Sequence, residues 1–400
     1  MERGRSSGSR WLALDLLRFV AVFLMVQGHT FTELLSEATQ HERWYRHHQF
    51  VHGYTAPMFL FASGLAFGYT TFRGWDRTTQ PGPALHKRLR RYAWLLGIGY
   101  LMHVPTLALG GLVRVQGSSL EHWLQVDVLQ HIGVSLAFLT LLSVLVRRVA
   151  SRFGRTGEAA FASIVGVLFL LVVLLAPIVW AFPADRELPL VVAGYVNGSS
   201  GSYFPLVPWA GFTYAGVMVA FVARRAERPS VTLAPWLLGV TVVSLGGSVL
   251  LNRLGVRVYG PHDFWRTDPY YFFFRLGNVT AVLTVLAYLE RFAIGAKVQL
   301  EGEARLARAL AWVRVVGEES LVVYVAHLVV LHGWVVGHGL TSSMGHHLSL
   351  TQATTVALVL FVAMVFVARG WSDMKKSRLR FQALQLSAAG AMAYLMLVAR

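Results

Sequence analysis

Apolar residues in this chain gather into long runs separated by short, Arg-rich polar segments. Read in windows of about 19 residues, the runs predict spans near 11–34, 52–72, 92–112, 126–146, 160–181, 204–223, 233–252, 270–290, 318–338 and 351–369. The expected fold is therefore all-α: a polytopic membrane bundle of about 10 to 11 helices. The eleventh would be residues 381–399, which are less apolar and form either a further span or a helix lying at the interface. The first run starts at Trp11 and is followed by many like it, so it reads as a retained span and not as a cleaved leader.

Composition agrees: 55% of the 400 residues are hydrophobic and 14% charged, where a soluble domain carries roughly 25% charge. A net charge of +16 would suggest nucleic acid in a soluble protein, but here the cations sit between apolar runs and act as topology signals. With the N-terminus cytoplasmic, the inner segments collect most of the Lys and Arg. The outer loops hold only Arg43, Arg46, Arg114, Arg186, Arg253, Arg257 and Arg266. The expected organisation is a cytoplasmic tail over 1–10, a transmembrane domain over 11–370, and a basic segment with an apolar helix over 371–400. The location that follows is the cell membrane, as a multi-pass protein. The absence of Cys excludes disulfides and a thiol nucleophile and leaves any catalysis to His, Asp, Glu, Ser or Tyr.

The first span, RWLALDLLRFVAVFLMVQGHTFTELL, carries Asp15, Arg18, His29 and Glu33. Arg18 and His29 are eleven positions apart, so on a helix they lie within about 20° of one face and about 16 Å apart along the axis. Asp15 stands three residues before Arg18 and Glu33 four after His29, each within pairing reach. One such residue is ordinarily a snorkelling or hydrogen-bonded bundle residue. Four on one face of a membrane helix point to a cavity-lining site.

The Arg18-to-His29 spacing in a span beginning LDLLR resembles the transmembrane acyltransferases of the acyltransferase-3 type and the related heparan-α-glucosaminide N-acetyltransferase-like group, bacterial relatives included. APMFLFASGLAFGY (56–69), with Ser63 and Gly64, is similar to that family's second span. VDVLQHIGVSLAFL (126–139), FPLVPWAGFTYAG (204–216) and GEESLVVYVAHLVVL (317–331) are similar to later spans of the N-acetyltransferase-like group. Phe19 departs from the Gly that commonly follows the Arg. The resemblance implies a cytoplasmic acyl-CoA donor, acetyl-CoA above all, and an acceptor hydroxyl or amine near the outer side. It gives His29 the acid/base or acyl-accepting role and Arg18 a role in donor binding.

The residues are compatible with that chemistry. A neutral imidazole serves as base at physiological pH, and CoA phosphates call for Arg or Lys. Arg88, Arg90 and Arg91 form an inner cluster suited to the donor, although positive-inside topology alone also accounts for it. Asp127 and His131, at i and i+4, are a candidate carboxylate–imidazole pair, with Gln130 beside them. His327, one turn after Tyr324, is a packing or site-lining residue. His262, Asp263, Arg266, Arg275 and Asn278 gather at the outer start of the eighth span and suit a polar acceptor. The pair Gly246–Gly247 reads as close helix packing. No metal is expected: there is no HExxH, His48 and His52 lack a third ligand, and His346 and His347 are adjacent.

The expected function is an integral-membrane acyltransferase moving a short acyl group from acyl-CoA to a glycan or glycolipid, with the bilayer as its other partner, no nucleic acid, and the oligomeric state open. His29 is the leading catalytic residue, with Glu33 as an alternative and Asp127 and His131 in support. Asp15, Arg18, Ser63, Arg88, Arg90, Arg91, Gln130, Arg275, Asn278 and His327 are candidates for substrate binding. A secondary transporter using Asp15, Arg18 and His29 as its pathway, and a membrane sensor without catalysis, are the readings from other classes.

Overall fold

The computed structural model describes residues 11–253, 259–295, 303–333 and 338–398. The expected cytoplasmic tail over 1–10 lies outside them. The main helices are α1 (Leu12–Leu34), α2 (Arg43–His52), α3 (Thr55–Arg73), α4 (Pro83–Met102), α5 (Val128–Ser151), α6 (Glu158–Leu174), α7 (Leu206–Ala223), α8 (Pro229–Arg253), α9 (Pro269–Gly295), α10 (Glu303–Glu318), α11 (Ser320–His332), α12 (Leu350–Lys376) and α13 (Arg378–Val398). Among the described residues there is no strand, only an isolated bridge between Leu35 and Leu348.

Among the described residues seven helices are long and apolar enough to cross a bilayer, or eight if the bent pair α10–α11 is counted as one span. Large apolar side chains face outward along them, such as Val243 on α8 and Phe366 on α12, as a lipid-facing surface requires. The chain is a membrane protein. The remaining expected spans differ in register or length. Instead of running over 92–112, the third helix begins at Pro83, whose fixed φ suits a first helical position, and ends at Met102 ahead of Pro105. The polar stretch HKRLRR therefore forms its first half. The apolar helix α6 has only 17 residues. The ninth expected span, 318–338, starts at the break around Glu319, where α10 and α11 meet at 74°, and its helix α11 ends at His332; its residues 334–337 lie outside the described ones. The C-terminal stretch is helical, as α13, but is not among the helices that pass for spans.

The chain folds into two compact units, Phe59–Val285 and, from either side of it, Arg10–Met58 with Leu286–Arg400. In the first, α4 packs on α5 and α6 on α7. Here α3 and α7 approach backbone to backbone: a Cβ on Gly64 would stand 1.9 Å from the Thr213 carbonyl oxygen, and one on Gly216 2.2 Å from that of Phe61. The pair Gly246–Gly247 opens onto free space, against the expectation of close packing; Gly277, facing Leu245, supplies that contact instead.

In the second unit α1 packs against α10, α11 and α12. Its backbone start is fixed by the buried carboxylate of Glu290, which accepts from the Ala13 N–H at 2.8 Å, a side-chain cap supplied from α9. At its other end the Gln40 amide donates to the carbonyls of Thr32 and Leu35. Ser349 and Gln352 form a capping box that starts α12. Phe31, Leu35, Tyr45, Ala353 and Ala357 make a buried apolar cluster at this end.

Candidate functional site

The histidine stripe of α1 leads to the most developed polar constellation. His29 Nδ1 lies 2.9 Å from His327 Nε2, and the two rings are nearly parallel with centroids 5.2 Å apart. His327 is fully buried, and its Nδ1 lies 2.8 Å from the Val323 carbonyl oxygen. A carbonyl only accepts, so His327 Nδ1 carries its proton; in the neutral ring Nε2 is then a lone pair. His29 Nδ1–H donates to that lone pair, and His29 Nε2 remains as the free base. The tautomers of both rings follow from one backbone carbonyl.

On α2, His48 and His52 stand one turn apart and face α1, while Arg43, Arg46, His47 and Phe50 are exposed. The His52 ring meets His29 edge to face at 5.6 Å and stacks parallel on His48 at 6.2 Å. It occupies the space over Gly28, where a Cβ would fall 1.9 Å from His52 Nδ1. The ring also hydrogen-bonds the backbone of Leu24 and approaches Thr55 Oγ1 at 3.5 Å. Sequence spacing placed His48 and His52 together but had no means of placing them on α1; the signal was Gly28, the small residue immediately before His29. Among the described residues no group of His, Asp and Glu has the arrangement of a metal site.

At the other end of α1, Asp15 is 2% exposed and Arg18 partly buried. Gly317, just before the α10–α11 break, passes against both: a Cβ there would be 3.0 Å from the Asp15 carbonyl oxygen and 3.5 Å from Arg18 Cβ. The buried carboxylate of Glu319 sits in the break and is paired with Lys375 at 2.5 Å. Arg18, His29 and His327 thus belong to one unit. Glu33 offers its backbone carbonyl to the His346 N–H at 3.1 Å.

The other candidates fall in the first unit, where several are committed to local structure. Ser63 Oγ donates to the Leu60 carbonyl at 2.7 Å, and Asn278 Nδ2 to that of Phe274 at 2.8 Å. Arg88 donates to Thr71 and Thr70 hydroxyls, while Arg90 and Arg91 are exposed. The expected pair of Asp127 with His131 does not form. Asp127 is the N-cap of α5, in extended backbone, and its carboxylate accepts from the Val128 N–H at 2.7 Å, so the i,i+4 face of a helix does not apply to it. His131 Nδ1 donates to the Phe204 carbonyl at 2.9 Å and its buried Nε2 has no partner among the described residues. Asp127 instead approaches His103 at 3.9 Å. Gln130 is fully buried, 3.3 Å from His103. The Arg275 guanidinium lies over the rings of Tyr271 at 4.2 Å and Trp209 at 5.4 Å. Outside the spans, His262 bridges the Gly260 carbonyl and the Asp268 carboxylate, at 2.7 and 2.8 Å.

A family described as heparan-alpha-glucosaminide N-acetyltransferase, catalytic, matches residues 10–252, more than half the chain. The chain belongs to this family. As a heparan-alpha-glucosaminide N-acetyltransferase-like protein it is a membrane-bound transferase, and the transporter reading gains no support from the match. The matched stretch runs from α1 nearly to the end of α8 and includes Arg18, His29, Gly64, Asp127 and His131; His327 lies beyond it. No curated protein matches the chain.

Proposed function

We propose that this protein transfers an acetyl or other short acyl group from a cytoplasmic acyl-CoA, acetyl-CoA foremost, to a hydroxyl or amine of an extracytoplasmic glycan or glycolipid, in the cell membrane with its N-terminus inside. The observation that carries this reading is the His29–His327 bond. With Nδ1 engaged and Nε2 free, His29 is a neutral, oriented base inside a membrane domain whose family is that of an acetyltransferase. In this role His29 Nε2 takes the proton from the acceptor as its oxygen or nitrogen attacks the thioester carbonyl, and the CoA sulfur leaves as the thiol. His327 touches no reacting atom and is a positioning residue.

Arg18, on the same helix and about 16 Å away, supplies a fixed cation for the donor's phosphates. The test uses purified protein in liposomes with labelled acetyl-CoA and membrane glycans. Label should pass to glycan with wild type and not with His29→Ala of equal thermal stability. Transfer that is absent, or indifferent to His29, overturns the reading.

A further inference from the structure

The His29–His327 pair accounts for how the base is oriented but leaves a question about where a proton goes afterwards. When an ammonium acceptor meets a thioester, the products are an amide, a CoA thiol and one surplus proton. With a hydroxyl acceptor the proton lost by oxygen ends on the CoA sulfur, and none is left over. In the amine case a proton must leave the base once per turnover. His327 offers no exit: its Nδ1–H is held by the Val323 carbonyl, and it is fully buried.

The other neighbour of His29, His52, also holds a backbone carbonyl, that of Leu24, but it is only partly buried and leads on to a further ring. His52 lies against His29, and His48 is stacked behind His52. His48 Nε2 lies 3.0 Å from the Gln27 side-chain carbonyl oxygen, which only accepts, so the neutral ring has its lone pair on Nδ1. That Nδ1 is buried and has no partner among the described residues. An acceptor site for a proton therefore stands open two rings from the base, on a helix whose preceding residue, His47, is exposed. Among the described residues the ionisable groups that face His29 are imidazoles: His327 and His332 from α11 and His52 from α2. His48 is faced by His52 and by Tyr45 from its own helix. A proton arriving among these described groups meets imidazoles and a phenol rather than a carboxylate that would hold it.

We propose that His52 and His48 form a proton relay leading from His29 to the exposed face of α2, and that Gly28 is glycine because the relay ring lies in its side-chain space. The relay rests on the reading of His29 as base. Each hop is a proton leaving one protonated ring for the lone pair of the next through one water, with no change in bonding elsewhere. The contact with Gly28 makes the idea sensitive to a single methyl group, since a Cβ there must push His52 off His29.

The experiment follows labelled acetyl transfer from acetyl-CoA to glucosamine, chosen as an amine acceptor, in the full-length protein. His52→Phe keeps a ring in place but cannot carry a proton; it should slow turnover at least tenfold with an unchanged KM for acetyl-CoA and an unchanged thermal midpoint. His52→Ala should be slow in the same way and recover on addition of imidazole. Gly28→Ala should match His52→Ala, and the double variant should be no slower than either single one. Wild-type rates in His52→Phe, or a slow His52→Ala that imidazole leaves slow, overturn the relay while His29 keeps its role. Transfer confined to hydroxyl acceptors also overturns it, because no proton is then surplus. Loss of all His29-dependent transfer removes the reading on which it rests.

Discussion

His29 Nδ1 and His327 Nε2 meet at 2.9 Å across α1 and α11, and the bond fixes which nitrogen of each ring carries a proton. A neutral partner of this kind orients the base without adding negative charge. The expected result for His327→Ala is a fall in kcat of about a hundredfold or more, the range for loss of an organised acid–base group. His327→Gln retains an oxygen acceptor for His29 Nδ1–H and should recover part of that loss. Steady-state kinetics on both variants, with thermal unfolding to confirm that each is folded, checks the orientation role. Equal loss in Gln and Ala variants would contradict it.

Arg18 shares a rigid helix with His29, and its proposed role is to bind the donor. Arg18→Ala should raise KM for acetyl-CoA at least tenfold with a smaller change in kcat, because a binding contact distant from the reacting atoms acts on both ground and transition states. Arg18→Lys should recover only part, since Lys lacks the planar fork that grips phosphate. A fall in kcat alone would place Arg18 elsewhere in the chemistry.

Removing Lys375 leaves the Glu319 carboxylate buried in the α10–α11 break without its cation. Lys375 is itself partly exposed, so the expected loss for Lys375→Ala is roughly 1–3 kcal/mol, below the value for a wholly buried pair. Adding Glu319→Gln to Lys375→Ala should restore a good part of the midpoint. Thermal unfolding in detergent measures both, and a double variant no better than the single one would refute the coupling.

At Gly64 any side chain begins inside the Thr213 carbonyl, so α3 and α7 must separate to admit it. Gly64→Ala should cost about 1–3 kcal/mol. Gly247→Ala, which opens onto free space, should be neutral or slightly stabilising. The contrast in thermal midpoint between the two alanines is the measurement.

Both nitrogens of His262 face acceptors, so its doubly protonated form is the satisfied one. The Gly260 carbonyl, and after it the Asp268 carboxylate, hold its pKa above the ordinary value. The folded pKa is raised, so the stabilisation is complete below the unfolded pKa of about 6.5 and fades as pH rises through the folded one. The thermal midpoint of wild type should exceed that of His262→Gln most clearly at acidic pH, with the gap narrowing towards alkaline pH. A gap that widens with pH would be inconsistent with the sign of the shift.

Hydropathy alone located most of the long helices, because a bilayer demands a length and an apolar content that few other contexts do. It misplaced α4, since the basic stretch from Lys87 to Arg91 looked like a loop and is instead the first half of a helix opened by Pro83. It did place a span start at the polar step Glu318–Glu319, but the bend between α10 and α11, with its buried carboxylate and cation, is a matter of packing that hydropathy does not report. In the site, the stripe of Arg18 and His29 was legible because helical period is a property of one segment. The bond to His327 and the seat of His52 on Gly28 were not, because they join residues by packing across the chain, where spacing carries no information. The Asp127–His131 pairing failed for a local reason: a capping residue does not share the helix face that starts after it.

α1 runs without a break from Leu12 to Leu34. Arg18 and His29 are therefore graduations on a single rule: if the helix tilts they swing together, and neither can be drawn toward a ligand without the other. An inserted residue between them would turn the two ends apart by about 100° while lengthening the gap by only about 1.5 Å, so the helix tolerates a change of span far better than a change of phase. Any molecule that bridges the two must be cut to the gauge, because the gauge does not stretch.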